Sequence, residues 1–167
     1  RVVPGAGVWC GACAWCRQGR PNLCERYYTL GLQADGGMAE FVVAPARICV
    51  TVPGELSDDS AAMTQPFAVA LHALDRARLQ PSDTVWINGA GGIGGFLVAG
   101  AAARGCRTII TSDISSERLQ LATSLGATHV LDATVDDIVA AVTETTAGGV
   151  DVAVEASGAP GTRSEER

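Results

Sequence analysis

Between residues 81 and 155 the chain alternates short apolar runs with stretches of helical periodicity. The runs at 85–88, 107–112, 130–132 and 150–155 are rich in Val and Ile and have the length of buried strands. The stretches at 94–104, 116–125 and 136–145 place apolar residues on one side and polar residues on the other. This order, βαβαβαβ, predicts a parallel sheet with helices packed on it. Earlier in the chain, Asp35-Gly36-Gly37 predicts a turn, 38–44 and 47–52 predict short strands, and Pro53-Gly54 ends them. Ser57-Asp58-Asp59-Ser60 predicts a helix start running through 61–63, with Pro66 as an interruption. A longer helix over 67–77 then carries Ala70, Leu71 and Leu74 on one face. Residues 161–167 are polar and predict no further strand, so the sheet is expected to stop partway.

Composition narrows the chemistry. Among 167 residues the 12 basic ones are all Arg, and 18 acidic residues leave a net charge of −6, which disfavours a nucleic-acid partner held by phosphate contacts. The absence of Lys excludes both a phosphate loop ending in Gly-Lys-Ser/Thr and a Lys nucleophile. Residues 85–103 carry no charge over 19 positions, enough to span a bilayer, but six glycines and Asn88 fit a strand, turn and helix better. The sequence opens on Arg1-Val2-Val3 with no basic-then-apolar leader, and it reads as a segment of a longer chain.

Four of the six cysteines, Cys10, Cys13, Cys16 and Cys24, follow the spacing C-x2-C-x2-C-x7-C. Closely spaced C-x2-C pairs are poor disulfide geometry. Four thiolates suit a tetrahedral Zn²⁺, with Gly11, Gly19 and Pro21 supplying turns in a lobe over 10–24. Such a set leaves no open coordination position, so the site is expected to be structural. An iron-sulfur group uses the same ligands and stands as an alternative. Cys49, between Ile48 and Val50, and Cys106 are expected to be buried small hydrophobes. Thiolate ligands point to a reducing compartment, the cytoplasm.

Gly89-Ala90-Gly91-Gly92-Ile93-Gly94 is G-x-G-x-x-G directly after a strand and at the mouth of a helix. Gly89 permits the tight turn, Gly91 lets the backbone approach a pyrophosphate, and Gly94 allows close packing of helix on strand. The N–H groups opening the helix, around Gly92 and Ile93, would receive the diphosphate without help from Lys. Asp113 ends the second strand 19 residues after Gly94, placed to accept from both adenosine ribose hydroxyls. Its charge favours NAD over NADP, with Arg118 the one cation nearby.

The cysteine lobe, Gly36-Gly37-Met38-Ala39-Glu40-Phe41, Gln65-Pro66-Phe67-Ala68-Val69-Ala70-Leu71-His72-Ala73 and the glycine turn, in that order, resemble the zinc-dependent medium-chain dehydrogenases, nearest the polyol, butanediol and threonine branch. The resemblance implies part of a GroES-like catalytic domain over 1–78 and a partial NAD-binding Rossmann domain over 79–167, a doubly wound α/β sheet. It implies Cys10, Cys13, Cys16 and Cys24 as structural zinc ligands. Gly89, Gly91, Gly92, Ile93, Gly94 and Asp113 become NAD contacts, with Arg118 near the adenosine ribose. The family oxidises a small alcohol or polyol at a second zinc and passes hydride to NAD. The usual Cys and Gly-His-Glu ligands of that zinc would precede Arg1, and Gln65 stands where the polyol branch has a Glu ligand. His72 matches a common non-ligand position, His129 sits at a strand start, and Glu155 ends the fourth strand near the cofactor cleft. The isolated chain is therefore expected to lack turnover, and its longer parent to be a dimer or tetramer that does not act on nucleic acid or membranes. A non-catalytic, zinc-stabilised NAD-binding module is the alternative.

Overall fold

In a computed structural model, residues 1–159 are described, and they divide into two units, Arg1–Thr64 and a second beginning at Gln65. The expectation made for residues 161–167 lies outside the described residues. The first unit holds the strands β1 (Val2–Pro4), β2 (Gly7–Val8), β3 (Tyr28–Thr29) and β4 (Cys49–Thr51), with the short helices α1 (Ala14–Arg17) and α2 (Asp58–Ala62). β1 pairs with β4 and β2 with β3, both antiparallel. Ser57 caps α2 by accepting the Ser60 N–H, and Asp58 and Asp59 in its first turn complement the helix dipole.

Three local expectations are corrected here. Residues 38–44 do not form a strand, and Met38, Phe41 and Val43 are exposed. Strand-forming composition is expressed only where a neighbour supplies ladder hydrogen bonds, and among the described residues none lies beside this run. The strand expected over 47–52 shortens to Cys49–Thr51 because Ala46–Ile48 is a 3-10 turn. The helix break falls at Met63, not at Pro66: α3 (Thr64–Arg76) runs through Pro66 in its first turn, where a missing N–H breaks no intrahelical bond.

The second unit continues with β5 (Thr84–Asn88), α4 (Gly92–Ala103), β6 (Thr108–Asp113), α5 (Ser116–Ser124), β7 (His129–Asp132), α6 (Ile138–Thr146) and β8 (Val152–Glu155). The sheet is parallel with the order β7-β6-β5-β8. The chain therefore winds outward from β5 on one side and returns to β8 on the other, which opens a crevice at the carboxyl ends of β5 and β8. Alternate residues of each strand face opposite layers. Val85, Ile87 and Ile109 pack with Ala70, Leu74, Leu97, Val98 and Ala122 from the helices, whereas Trp86 and Ile110 pack with Ile138 and Val142 of α6. Strands covered on both faces read as continuous apolar runs, which is why they were visible in the sequence.

Candidate cofactor cleft and metal lobe

In the first unit the sulfurs of Cys10, Cys13, Cys16 and Cys24 all lie within 4.8 Å of one another. The Cys10–Cys16 separation is 3.9 Å, close to the ~3.8 Å edge that a tetrahedron with ~2.3 Å metal–sulfur bonds requires. All four are free thiols. The space between them admits one ion and excludes a multi-atom iron-sulfur cluster. Backbone N–H groups already point at these sulfurs: Ala12 and Cys13 donate to Cys10 Sγ, and Cys10 and Arg26 donate to Cys24 Sγ, each at 3.3 Å. The N–H groups of Ala12 and Cys13 pull the Cys10 thiol down to about 6, and those of Cys16 and Glu25 lower Cys13. Burial, followed by competition with Cys13, pushes Cys16 up to about 12. Arg20 stacks over Trp15, with its guanidinium carbon 5.1 Å from the ring centroid, and Arg47 reaches the Trp9 carbonyl at 2.6 Å.

In the second unit the glycine turn joins β5 to α4. Gly89 has φ +97°, and a Cβ there would lie 2.5 Å from the Ser157 nitrogen; a Cβ on Gly94 would lie 1.8 Å from the Gly89 carbonyl oxygen. Those two glycines are required by the protein itself. Gly91 and Gly92 are different, because a Cβ on either meets nothing within 4 Å. Gly91 is the N-cap of α4 at φ −65° and ψ −166°, a conformation open to any residue. A side chain at Gly91 would therefore clash with none of the described residues. The first-turn N–H groups at Gly92 and Ile93 have no acceptor within the helix and sit at its positive end. Gly91, which opens that helix, is on the wall of a cleft of about 190 Å³ lined also by Asn88, Gly89, Asp113, Arg118 and Ser157, among others.

Asp113 is 7% exposed at the end of β6. Its Oδ2 accepts the Ala90 N–H at 2.7 Å, its Oδ1 accepts the Ser115 N–H at 2.9 Å, and Arg118 lies 3.7 Å from Oδ1. One carboxylate thus ties the glycine turn to the entry of α5 and leaves a lone pair on each oxygen for a ligand. Of the residues singled out in the sequence, Gly89, Gly91, Asp113 and Arg118 thus line one crevice, whereas Gly92, Ile93 and Gly94, in the first turn of α4, are not among its lining residues. Asn88, Ser112, Ile114, Ala133 and Ser157 also line it and had no signal in the sequence beyond their place at strand ends. Gln65 and His72 are exposed on α3, and His129 meets Thr128 Oγ1 at 2.9 Å. Among the described residues neither imidazole joins a cluster of metal-ligating groups. Cys106 is buried with its thiol pushed up by desolvation, while Cys49 is only half-buried, short of the burial expected for it. None of the described helices is long and apolar enough to cross a membrane; the uncharged run over 85–103 is divided between β5 and α4.

Comparison with known proteins agrees with this layout. The family model for the alcohol dehydrogenase GroES-like domain matches residues 1–54, and that for zinc-binding dehydrogenases matches residues 92–165. Sorbitol dehydrogenase of Bacillus subtilis strain 168 is 38% identical over 162 residues, covering 96% of this chain and 46% of that protein. The crystal structure of an alcohol dehydrogenase from Escherichia coli CFT073, described as short-chain and complexed with NADH, superposes with a TM-score of 0.91 at 29% identity, covering 99% of this chain and 49% of that one. A zinc-binding dehydrogenase by description, from Sinorhizobium meliloti 1021 and bound to NADP, gives a TM-score of 0.90 at 33% identity over 97% of this chain and 48% of that one. The chain spans a little under half the length of these relatives. Both domain models are matched in the order in which the cysteine lobe and the glycine turn occur, and the chain belongs to the zinc-dependent medium-chain alcohol dehydrogenase family.

Proposed function

We propose that this chain is the part of a zinc-containing, NAD-dependent alcohol or polyol dehydrogenase that carries the structural metal lobe and the coenzyme crevice. The observation that carries the reading is Gly91, a glycine whose side-chain position meets none of the described residues, at the mouth of α4 and on the wall of a cleft. Gly91, Gly92 and Ile93 would hold the diphosphate by main-chain N–H groups. Asp113 would accept from the adenosine ribose while staying anchored to Ala90 and Ser115, and Arg118 would flank the adenosine. Bound there, NAD supplies the acceptor for hydride leaving an alcohol carbon. A buried carboxylate at the ribose position repels a 2′-phosphate, which supports NAD as the preferred coenzyme. Cys10, Cys13, Cys16 and Cys24 would hold a structural Zn²⁺ that cross-links a lobe having almost no apolar interior of its own. The longer protein is proposed to act on a small alcohol or polyol, as a homo-oligomer in the cytoplasm.

The test is to express the complete reading frame and follow NADH absorbance with a panel of polyols and secondary alcohols. Turnover with NAD that exceeds turnover with NADP by at least about tenfold, the worth of ~1.4 kcal/mol, supports the proposal. Coenzyme binding without turnover on any CH–OH substrate would favour the non-catalytic NAD-binding module instead.

A further inference from the structure

We propose that Glu155 is a positioning residue for the dinucleotide, holding the exit of β8 against the glycine turn through Asn88 and Ser157. The inference rests on the reading of the crevice as a dinucleotide site. The Glu155 carboxylate accepts from Asn88 Nδ2 at 2.7 Å on one oxygen. The other oxygen accepts from the Ser157 N–H at 2.6 Å, the Ser157 hydroxyl at 2.5 Å and the Gly158 N–H at 3.0 Å. Asn88 is buried, and its Oδ1 accepts from Ser112 Oγ at 2.9 Å, which in turn accepts from Trp86 Nε1 at 2.9 Å. A directed hydrogen-bond chain thus crosses β6, β5 and β8 at their carboxyl ends. Asn88, Ser112 and Ser157 are themselves walls of the crevice.

The Ser157 backbone is also what a Cβ on Gly89 would strike, so the glycine turn and the β8 exit are packed against each other. Asp113 holds the side of the crevice toward β6, and Glu155 holds the opposite side, across the point where the strand order reverses. Only an acceptor without donors satisfies the groups converging on position 155. In Glu155→Gln the amide must either set its NH₂ against Asn88 Nδ2 or force Asn88 to flip, which leaves the Ser112 hydroxyl without its acceptor. Combining Asn88→Asp with Glu155→Gln reverses the polarity of that one bond and restores each of the partners named above.

The experiment is a titration of the metal-loaded chain with NAD and, separately, with AMP as a probe of the Asp113 side, for the wild type, E155Q, N88D and E155Q/N88D. E155Q is expected to weaken NAD about tenfold while AMP changes by less than about twofold, and the double variant to recover NAD affinity. Equal NAD affinity in E155Q and wild type overturns the inference. So does parallel loss of NAD and AMP, which marks a general loss of structure, or failure of the double variant to recover. A wild-type chain that binds AMP and NAD equally poorly overturns the dinucleotide reading itself.

Discussion

Replacing Gly91 by alanine separates a glycine kept for folding from one kept for a ligand. Apart from its chain neighbours, the new methyl group meets no atom of the described residues within 4 Å, and the backbone angles of −65° and −166° suit alanine. Alanine is a poorer N-cap than glycine by roughly 1 kcal/mol, and its narrower unfolded ensemble returns about 0.4–1 kcal/mol. The two nearly cancel, and a residue of ~0.5 kcal/mol moves a melting midpoint by about 4 °C or less. On the proposed reading the same methyl group stands where the diphosphate approaches. Overpacking at that contact costs about 1–3 kcal/mol, equivalent to roughly 5- to 150-fold weaker NADH binding. Gly94→Ala is the control, because its Cβ would lie 1.8 Å from the Gly89 carbonyl oxygen and should abolish folding of the second unit. Thermal melts followed by NADH titration check both. A G91A chain that binds NADH as tightly as wild type, or that fails to fold, refutes the reasoning.

Other outcomes follow from buried groups and from the lobe. Thr111 is fully buried on β6 with a hydroxyl that has no hydrogen-bond partner among the described residues, so Thr111→Val should be neutral or stabilising by up to about 1–2 kcal/mol in a denaturant midpoint. Metal binding must strip the proton from Cys16, whose thiol is pushed up to about 12, so metal uptake should release protons and affinity should fall as pH is lowered. Dye competition for zinc at several pH values reads this, and a pH-independent affinity contradicts it. The Thr134 hydroxyl holds the Asp132 carboxyl below its ordinary range, and the Ser115 hydroxyl does the same for Glu117. Their folded values lie below the unfolded ones, so the stability they add is complete above the ordinary carboxylate range near ~4 and is lost as pH falls through the folded values. Ser115→Ala should flatten the part of that acid limb due to Glu117 in pH-dependent melts.

How much of this was legible depended on the range of the interactions. The strands β5, β6, β7 and β8 and the helices between them follow from local periodicity, because burial on both faces writes a continuous apolar run into the sequence. The cysteine lobe was legible from spacing alone. β1, β2 and β3 were not, because two- or three-residue strands exist only through partners far along the chain, such as Val2 opposite Thr51. The run over 38–44 failed for the converse reason, having the composition of a strand and no strand beside it. In the site, Gly91 and Asp113 were readable from their motif, but the anchoring of Asp113 to the Ala90 N–H was not. Nor was the chain from Trp86 through Ser112 and Asn88 to Glu155, which joins residues up to 67 positions apart and leaves no periodic trace.

The most direct measurement is calorimetric titration of the zinc-loaded chain with NADH. Saturable binding at one site per chain, displaced by NAD and weakened by G91A, is the expected result. Heat indistinguishable from dilution across the titration of a folded, metal-loaded chain contradicts the assignment of the cleft beside Gly91 and Asp113 to a dinucleotide.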